Sequence, residues 1–257
     1  MADKVITMNV PINNFKHFIS YMKEWSLIDP TIILSINNNM IMSYSFIGKD
    51  INDIHAFKTV ITDIDDIFDK KRKEISDKIT FIIKDGKKFV RNITNFIDFD
   101  EDLKFKISYD DQDFNANYIH ISNSKLRLKE ICGDPIIMSK EITKNDIDFL
   151  TNKDNSLFNF TISEMDFKKI KRMSTIETIN DILYITVTNN ELFIGENKWE
   201  LKICDIDKPN LNVSFPKKYF NTLTFKENSK IYLFENYILI SDDNSDLMIV
   251  LEMSVWT

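Results

Sequence analysis

A short basic segment, DFKKIKRM at residues 166–173, is the strongest chemical signal in the sequence. The whole chain is acidic, with 33 Lys and Arg against 40 Asp and Glu and a formal net charge of −7. The cations of this segment are Lys168, Lys169, Lys171 and Arg172. In a helix that turns by about 100° per residue they share one broad face, opposite Phe167, Ile170 and Met173. Cations on one face can bind the phosphates of a nucleic-acid backbone without reading its sequence.

Three further segments with helical character also carry cations. They span 12–25, 86–97 and 215–223, and their Lys and Arg residues are Lys16, Lys23, Lys87, Lys88, Arg91, Lys217 and Lys218. Few carboxylates accompany the cations of the four helices: Glu24, Glu164 and Asp166. Each helix taken alone could simply have an ordinary solvated face. Four basic helices together predict a positive surface that binds DNA, in a chain whose acidic exterior limits non-specific contacts.

No motif for catalysis, a metal or a cofactor is evident. His17, His55 and His120 lie on separate elements without paired ligand spacing, and SYDDQDF at 108–114 lacks the glycine and spacing of a calcium loop. KDGKK at 84–88 holds a single glycine, too few for a phosphate-binding loop. Cys132 and Cys204 are far apart and read as reduced thiols. We therefore expect no enzymatic activity, no metal and no cofactor.

Most of the chain alternates with period two, which favours antiparallel sheet with one wet face. KWELKICD at 198–205 and LKFKISYD at 103–110 are examples, and SKLRLKEI at 124–131 continues the pattern. Together with the four short helices, this alternation predicts an α+β fold. The charged stretch DIDDIFDKKRKEISD at 63–77 reads as an insertion that forms a surface helix or loop.

The order of predicted elements is repeated in the two halves of the chain. Each half runs helix, hairpin, two strands, helix and three strands, without obvious residue identity. We therefore predict two similar domains, 1–137 and 157–257, joined by a polar linker at 138–156. No apolar run reaches the roughly 20 residues of a membrane span and no signal peptide is evident, so we expect a soluble cytoplasmic protein without a membrane partner.

The sequence resembles the DNA sliding clamps. The resemblance is clearest in FNFTISEMDFKKIKRMSTIETINDILYITVTNNELFIG at 158–195, which resembles the strand, basic helix and strand-turn-strand of a clamp C-terminal domain. YILISDDNSDLMIVLEM at 237–253 resembles the closing hairpin. In length and style the chain is most similar to the clamps of T-even-type tailed phages, which are relatives of proliferating cell nuclear antigen. The insertion at 63–77 departs from the usual first domain.

The resemblance implies two clamp domains, each with antiparallel sheets and two short helices on one face. It implies a homotrimeric ring of six domains that encircles duplex DNA and tethers DNA polymerase after a clamp loader has opened it. The helix cations would line the hole, and an edge strand near 117–122 would pair with the next subunit. A partner peptide would bind near the linker and the chain end, at Met138, Ile142, Val255 and Trp256; Val255 and Trp256 could instead pack as terminal core.

Three alternatives stay open. The same fold could serve as a monomeric or dimeric viral polymerase accessory subunit that binds DNA without encircling it. An all-β phage structural or assembly protein predicts no preference for DNA. A β-rich hydrolase predicts turnover of a substrate in a concave acidic pocket.

Overall fold

The structure is a computed structural model that describes residues 4–26, 28–37, 40–47, 54–69, 75, 78–134, 144–176, 181–223, 229–242 and 245–256. The chain divides into two compact units, Met1–Thr143 and Lys144–Thr257.

The described residues of the first unit form two α-helices and eight strands. In chain order these are β1 (Lys4–Val10), α1 (Ile12–Trp25), β2 (Ile32–Ile36), β3 (Met40–Ile47), β4 (Ala56–Asp63), β5 (Ile79–Ile83), α2 (Gly86–Thr94), β6 (Leu103–Tyr109), β7 (Ala116–Ser122) and β8 (Arg127–Ile131). Short 3-10 helices cover Ile64–Asp66 and Ile97–Phe99. Strands β1, β6, β7 and β8 pair in that order, and so do β5, β2, β3 and β4. All of these pairings are antiparallel.

Apolar side chains from α1, α2 and the sheets form one core in this unit. Phe15, Phe18 and Met22 of α1 are buried, as the spacing of an amphipathic helix requires. The Phe18 ring packs edge-on against Phe105 of β6 at a centroid distance of 6.4 Å, so α1 covers the inward face of that strand. The two helices contact one another, and α2 also contacts β8.

The second unit repeats this order. It contains α3 (Lys144–Leu150), β9 (Phe158–Thr161), α4 (Glu164–Ile176), β10 (Ile182–Thr188), β11 (Glu191–Glu196), β12 (Trp199–Asp205), β13 (Leu211–Pro216), α5 (Lys217–Thr222), β14 (Lys230–Leu233), β15 (Tyr237–Ser241), β16 (Ser245–Val250) and β17 (Met253–Trp256). A 3-10 helix covers Lys153–Asn155. One sheet runs β12, β11, β10, β13, β17, and β16, β15, β14 and β9 pair in that order.

The architecture confirms the predicted α+β fold. In both units a strand and a helix precede four strands and a second helix; three strands follow in the first unit and four in the second. Strands β1 and β17 were not predicted, because each lies at an end of the chain where the alternation is short. The segment predicted as a linker contains α3 in its described part, with Ile147 buried.

Two expectations about the first unit are wrong. The stretch 63–77 was expected at the surface, but Ile64, Ile67, Phe68 and Ile75 are at most 3% exposed and belong to the core. The many charged residues between these four apolar residues obscured their spacing in the sequence. Residues 117–122 were expected at a sheet edge, but β7 lies between β6 and β8. The edge strands of this sheet are β1 and β8.

Candidate nucleic-acid interface

The N-terminus of α4 is fixed by its own side chains. The Asp166 backbone N–H donates to Ser163 Oγ at 3.1 Å, and that hydroxyl donates to Asp166 Oδ2 at 2.6 Å. Ser163 thus caps the helix, and its hydroxyl satisfies one of the free backbone donors of the first turn.

The buried face of α4 differs from the prediction at one position. Phe167 and Ile170 are buried as expected, but Met173 is 36% exposed and Ser174 takes the buried place. Ser174 Oγ lies 2.9 Å from Asn221 Oδ1, which joins α4 to α5. Because 174 is seven residues from 167, two helical turns return it to the same face, whereas 173 is rotated away.

The cations of α4 divide into two groups. Lys168 and Lys169 are exposed and form surface pairs with Glu164 at 2.6 Å and Asp166 at 3.3 Å. Exposed pairs of this kind contribute little stability and can be exchanged for phosphate at small cost. Arg172 is also exposed. Lys171 is half-buried, and its Nζ donates to the Leu223 carbonyl at 2.7 Å; burial lowers the pKa of this lysine.

The two adjacent lysines of α5 have opposite environments. Lys218 is exposed. Lys217 is 6% exposed, and its Nζ lies 3.4 Å from Oε1 of the buried Glu196. The expectation of a DNA contact therefore does not fit Lys217, because its ammonium is turned into the protein.

The cations of the first unit are exposed on two helices that contact one another. Lys16 and Lys23 are exposed on α1, and Lys87, Lys88 and Arg91 are exposed on α2. Within the described ranges, no ion pair involves Lys23 or the three cations of α2. Lys16 Nζ lies 3.5 Å from Asp100 Oδ1.

Glu24, the carboxylate of α1, does not reduce this positive charge. Its Oε2 lies 2.7 Å from Nζ of Lys58, which is 3% exposed on β4. The pair is internal and neutral, so the exposed charge of α1 and α2 comes from their five Lys and Arg residues.

The predicted peptide pocket is only partly within the described ranges. Met138 and Ile142 lie outside them. Val255 and Trp256 belong to β17, whose backbone pairs Val255 with Asn212 and Trp256 with Leu211 of β13.

Other site chemistry is limited in the part of the chain that the structure describes. No group of three or more His, Cys, Asp or Glu side chains could hold a metal ion there. No described helix is long and apolar enough to cross a bilayer. Cys132 is buried, and burial raises the pKa of its thiol to about 12.

One cationic surface was not predicted from the sequence. The alternation in β6 and β8 predicts that Lys104, Lys106, Arg127 and Lys129 point to solvent, but only the strand pairing places them beside each other. The signal in the sequence was the combination of KFK and RLK in neighbouring strands.

The comparisons with known proteins agree with this architecture. The sequence matches no protein-family model and no curated protein. Among solved structures, the DNA polymerase III subunit beta of Borrelia burgdorferi is similar at 14% identity and a TM-score of 0.65, over 96% of this chain and 64% of that one. A Helicobacter pylori beta clamp bound to a DNA ligase peptide is similar at 11% identity and a TM-score of 0.67, over 98% and 66%.

A third solved structure is the DNA polymerase sliding clamp of Pseudomonas aeruginosa, at 10% identity and a TM-score of 0.64 over 96% of this chain. The chain spans 64% to 66% of the length of these three clamps. At such low identity the similarity concerns the fold. The paired helices on antiparallel sheets and these structural matches together establish that the chain has the DNA sliding-clamp fold.

Proposed function

We propose that this chain is the subunit of a ring that encircles duplex DNA and tethers a DNA polymerase for processive synthesis. The observation that carries the proposal is the repeat: each unit presents exposed Lys and Arg residues on a pair of contacting helices, within a clamp fold. In this role the protein acts by binding DNA and partner proteins, and the role requires no catalytic centre.

The mechanism is topological. A closed ring leaves DNA only by opening or by sliding off an end, so its contacts with DNA can be weak. Flexible Lys and Arg side chains on helices suit this, because phosphate contacts position a protein on DNA without fixing it to a sequence. A tight grip would oppose sliding.

The DNA-contacting residues in this proposal are the exposed helix cations. They are Lys16, Lys23, Lys87, Lys88, Arg91, Lys168, Lys169, Arg172 and Lys218. Lys217 is omitted because it is buried beside Glu196. Lys171 adds positive charge near the surface, but its hydrogen bond to Leu223 gives it a role in holding α4 on α5.

Ring closure would use the exposed edge strands β8 and β12. Each ends a sheet of its own unit. An unpaired strand edge is a template for pairing with another chain, and a head-to-tail contact that closes gives a ring. If the ring has six domains, a chain of two units needs three copies.

Partners follow from the same proposal. A clamp loader opens the ring, and a polymerase binds through a short peptide near Met138, Ile142, Val255 and Trp256. The Helicobacter pylori clamp solved with a DNA ligase peptide supports peptide binding by this fold. The site of action would be the cytoplasm where DNA replicates, which is the host cytoplasm if the source is a phage.

The decisive experiment measures the assembly directly. Light scattering over a range of concentrations should give a mass near three times 30.3 kDa, and electron micrographs of the particles should show rings with a hole of duplex width. A monomer or dimer that binds DNA would replace this proposal with the accessory-subunit function. Particles with no DNA binding and no stimulation of a polymerase would contradict both.

A further inference from the structure

The first unit carries a second cationic surface, on the side of its β1-β6-β7-β8 sheet that faces away from α1. Phe105 and Ile107 of β6 point inward and are at most 2% exposed, so Lys104 and Lys106 point outward. On β8, Arg127 and Lys129 are exposed in the same alternating pattern. We call Lys104, Lys106, His120, Arg127 and Lys129 the outer basic face.

Strand register assembles these five side chains into a compact array. Lys106 is directly opposite His120, and His120 is directly opposite Lys129. In the next row Lys104 is opposite Ser122, which is opposite Arg127. The four Lys and Arg residues therefore occupy the corners of a rectangle of about 10 Å across the strands and about 7 Å along them.

No carboxylate interrupts this array on the described strands. Every other outward position of the four strands holds a neutral residue, and the Glu130 side chain lies on the inward side. Because the chain has 40 Asp and Glu residues, its composition predicts carboxylates among the outward positions of a sheet, and this face has none on the described strands.

His120 reports the positive potential of the array. Burial lowers the pKa of its imidazole, and the charges of Lys106, Arg127 and Lys129 lower it further. These three cations face it from β6 and β8, the two strands that flank β7. An anion placed over the array would oppose the effect of the charges and raise the pKa of His120.

We propose that the outer basic face binds the phosphodiester backbone of nucleic acid, at a site on the opposite side of the sheet from α1. This contact is separate from the proposed DNA-lining helices, because its residues lie on β6, β7 and β8. On β8 it uses side chains on the outward face of the sheet, whereas ring closure would use the backbone edge of that strand. Binding through it is independent of base sequence, since flexible Lys and Arg side chains contact phosphates.

The chemistry of the face favours nucleic acid over a protein partner. Lysine is depleted in protein–protein interfaces, whose buried centres use apolar and aromatic anchors. Here the exposed apolar side chains, Val5 and Ile131, lie in the row beyond Lys106 and Lys129 and not at the centre of the array. The Tyr118 ring is covered by the Lys129 ammonium at 4.1 Å. A phosphate backbone can bind through cations alone, without an apolar anchor, and this face provides four Lys and Arg residues.

The test compares three full-length variants by fluorescence anisotropy with a labelled 20-nucleotide single strand and the matching duplex. The first variant changes the outer basic face: Lys104→Gln, Lys106→Gln, Arg127→Gln and Lys129→Gln. The second is a charge-matched control at exposed lysines elsewhere: Lys4→Gln, Lys78→Gln, Lys208→Gln and Lys230→Gln. The third removes helix cations: Lys87→Gln, Lys88→Gln, Arg91→Gln and Arg172→Gln.

We expect the outer-face variant to bind at least one of the two oligonucleotides about tenfold more weakly than the control variant. Its plot of log affinity against log salt should lose up to about 3.6 units of slope for the duplex and up to about 2.8 for the single strand, because four cations are removed and each lost phosphate contact removes about 0.9 or about 0.7. Comparing the two oligonucleotides identifies which form of nucleic acid the face prefers. Affinity and slope equal to those of the control would overturn the proposal. Loss in the helix variant alone would overturn it while leaving the ring intact.

A second measurement uses the unaltered protein. The His120 ring resonance, followed by NMR through a pH titration, should show a higher pKa when a saturating oligonucleotide is present. An unchanged His120 titration in the oligonucleotide complex would overturn the proposal. So would a poly-glutamate peptide of equal charge that binds the outer basic face more tightly than either oligonucleotide, since that would assign the face to an acidic protein.

Discussion

At the residue scale, the same residue type serves two functions one position apart. Lys217 and Lys218 are adjacent in α5, yet only Lys218 is exposed. Lys217 lies against the buried Glu196, so its charge balances another charge inside the protein. Breaking a buried pair from one side leaves an unpaired charge, which costs far more than losing a surface lysine.

Replacing Lys217 by Met should therefore destabilise the protein by about 3 kcal/mol, because Glu196 stays buried with one cation fewer. The matched variant Lys218→Met should change the free energy of unfolding by less than about 0.5 kcal/mol. Urea unfolding followed by circular dichroism measures both. Adding Glu196→Gln to Lys217→Met should recover part of the loss, and equal effects of the two single variants would show that Lys217 is not the buried partner.

Cys132 gives the stability a dependence on alkaline pH. Its folded-state pKa is raised to about 12 by burial, while a thiol in the unfolded chain titrates near its ordinary value of about 8.5. Above that value the unfolded state loses the proton and the folded state retains it, so stability falls as pH rises towards 12.

Between pH 9 and pH 10 this thiol should reduce the free energy of unfolding by about 1 kcal/mol. Cys132→Ala removes the titrating group, so the pH dependence of that variant should be flatter by this amount, although its stability at pH 7 is lower. Cys204→Ala is the comparison variant: burial also raises the pKa of that thiol, but it is only partly buried, so its removal should flatten the pH profile less than Cys132→Ala does. Parallel pH profiles for the wild type and Cys132→Ala would contradict the assignment.

At the element scale, β8 combines a paired side and a free side. The Cys132 backbone N–H, just beyond β8, donates to the carbonyl of Asn117 in β7 at 3.0 Å. Donors in an antiparallel strand alternate in direction, so the backbone N–H of Ile131 points away from β7. Its side chain is 68% exposed. An exposed edge of this kind fits a strand that pairs with another subunit.

Ile131→Pro should prevent this pairing without disturbing the β7–β8 ladder, since proline removes only the outward donor at an edge position. In light scattering the mass should fall from the expected trimer towards 30.3 kDa. Ile131→Thr retains the N–H and should keep the assembly. A full-mass assembly for Ile131→Pro would exclude β8 as the subunit contact.

At the scale of the whole molecule, the helices expose positive charge although the chain as a whole is acidic. The chain has a net charge of −7, but its α1 and α2 expose five cations and its α4 and α5 expose four more. A protein that is acidic outside its binding surfaces repels nucleic acid everywhere else. If the chain binds DNA as proposed, its affinity for DNA should depend on those surfaces and on salt.

Replacing Lys87, Lys88, Arg91, Lys168, Lys169 and Arg172 by Gln should lower the salt dependence of DNA retention by several units of slope while leaving the assembly mass unchanged. The measurement is gel filtration over a salt series, which compares the amount of protein retained on closed circular DNA with the amount retained on linear DNA. Lys78→Gln with Lys208→Gln and Lys230→Gln is the control. Identical retention of the helix variant would remove the helices from the DNA contact.

The sequence by itself determined most of the elements and their repeated order, apart from β1, β17 and α3, because hydrophobic periodicity is a local property. The alternation in 198–205 and 103–110 predicted β12 and β6, and the helical spacing of Phe167 and Ile170 predicted the buried face of α4. The exposed positions of Lys168, Lys169 and Arg172 followed from helical geometry alone.

Only the tertiary structure decided which partner each side chain meets, because pairing joins residues far apart in the chain. Lys217 pairs with Glu196, which is 21 residues away in the chain, and Lys171 donates to the carbonyl of Leu223, which is 52 residues away. Strand order placed β7 inside the sheet and joined β6, β7 and β8 into one basic face. Periodicity tells which side of an element is wet, and it leaves open which elements lie beside it.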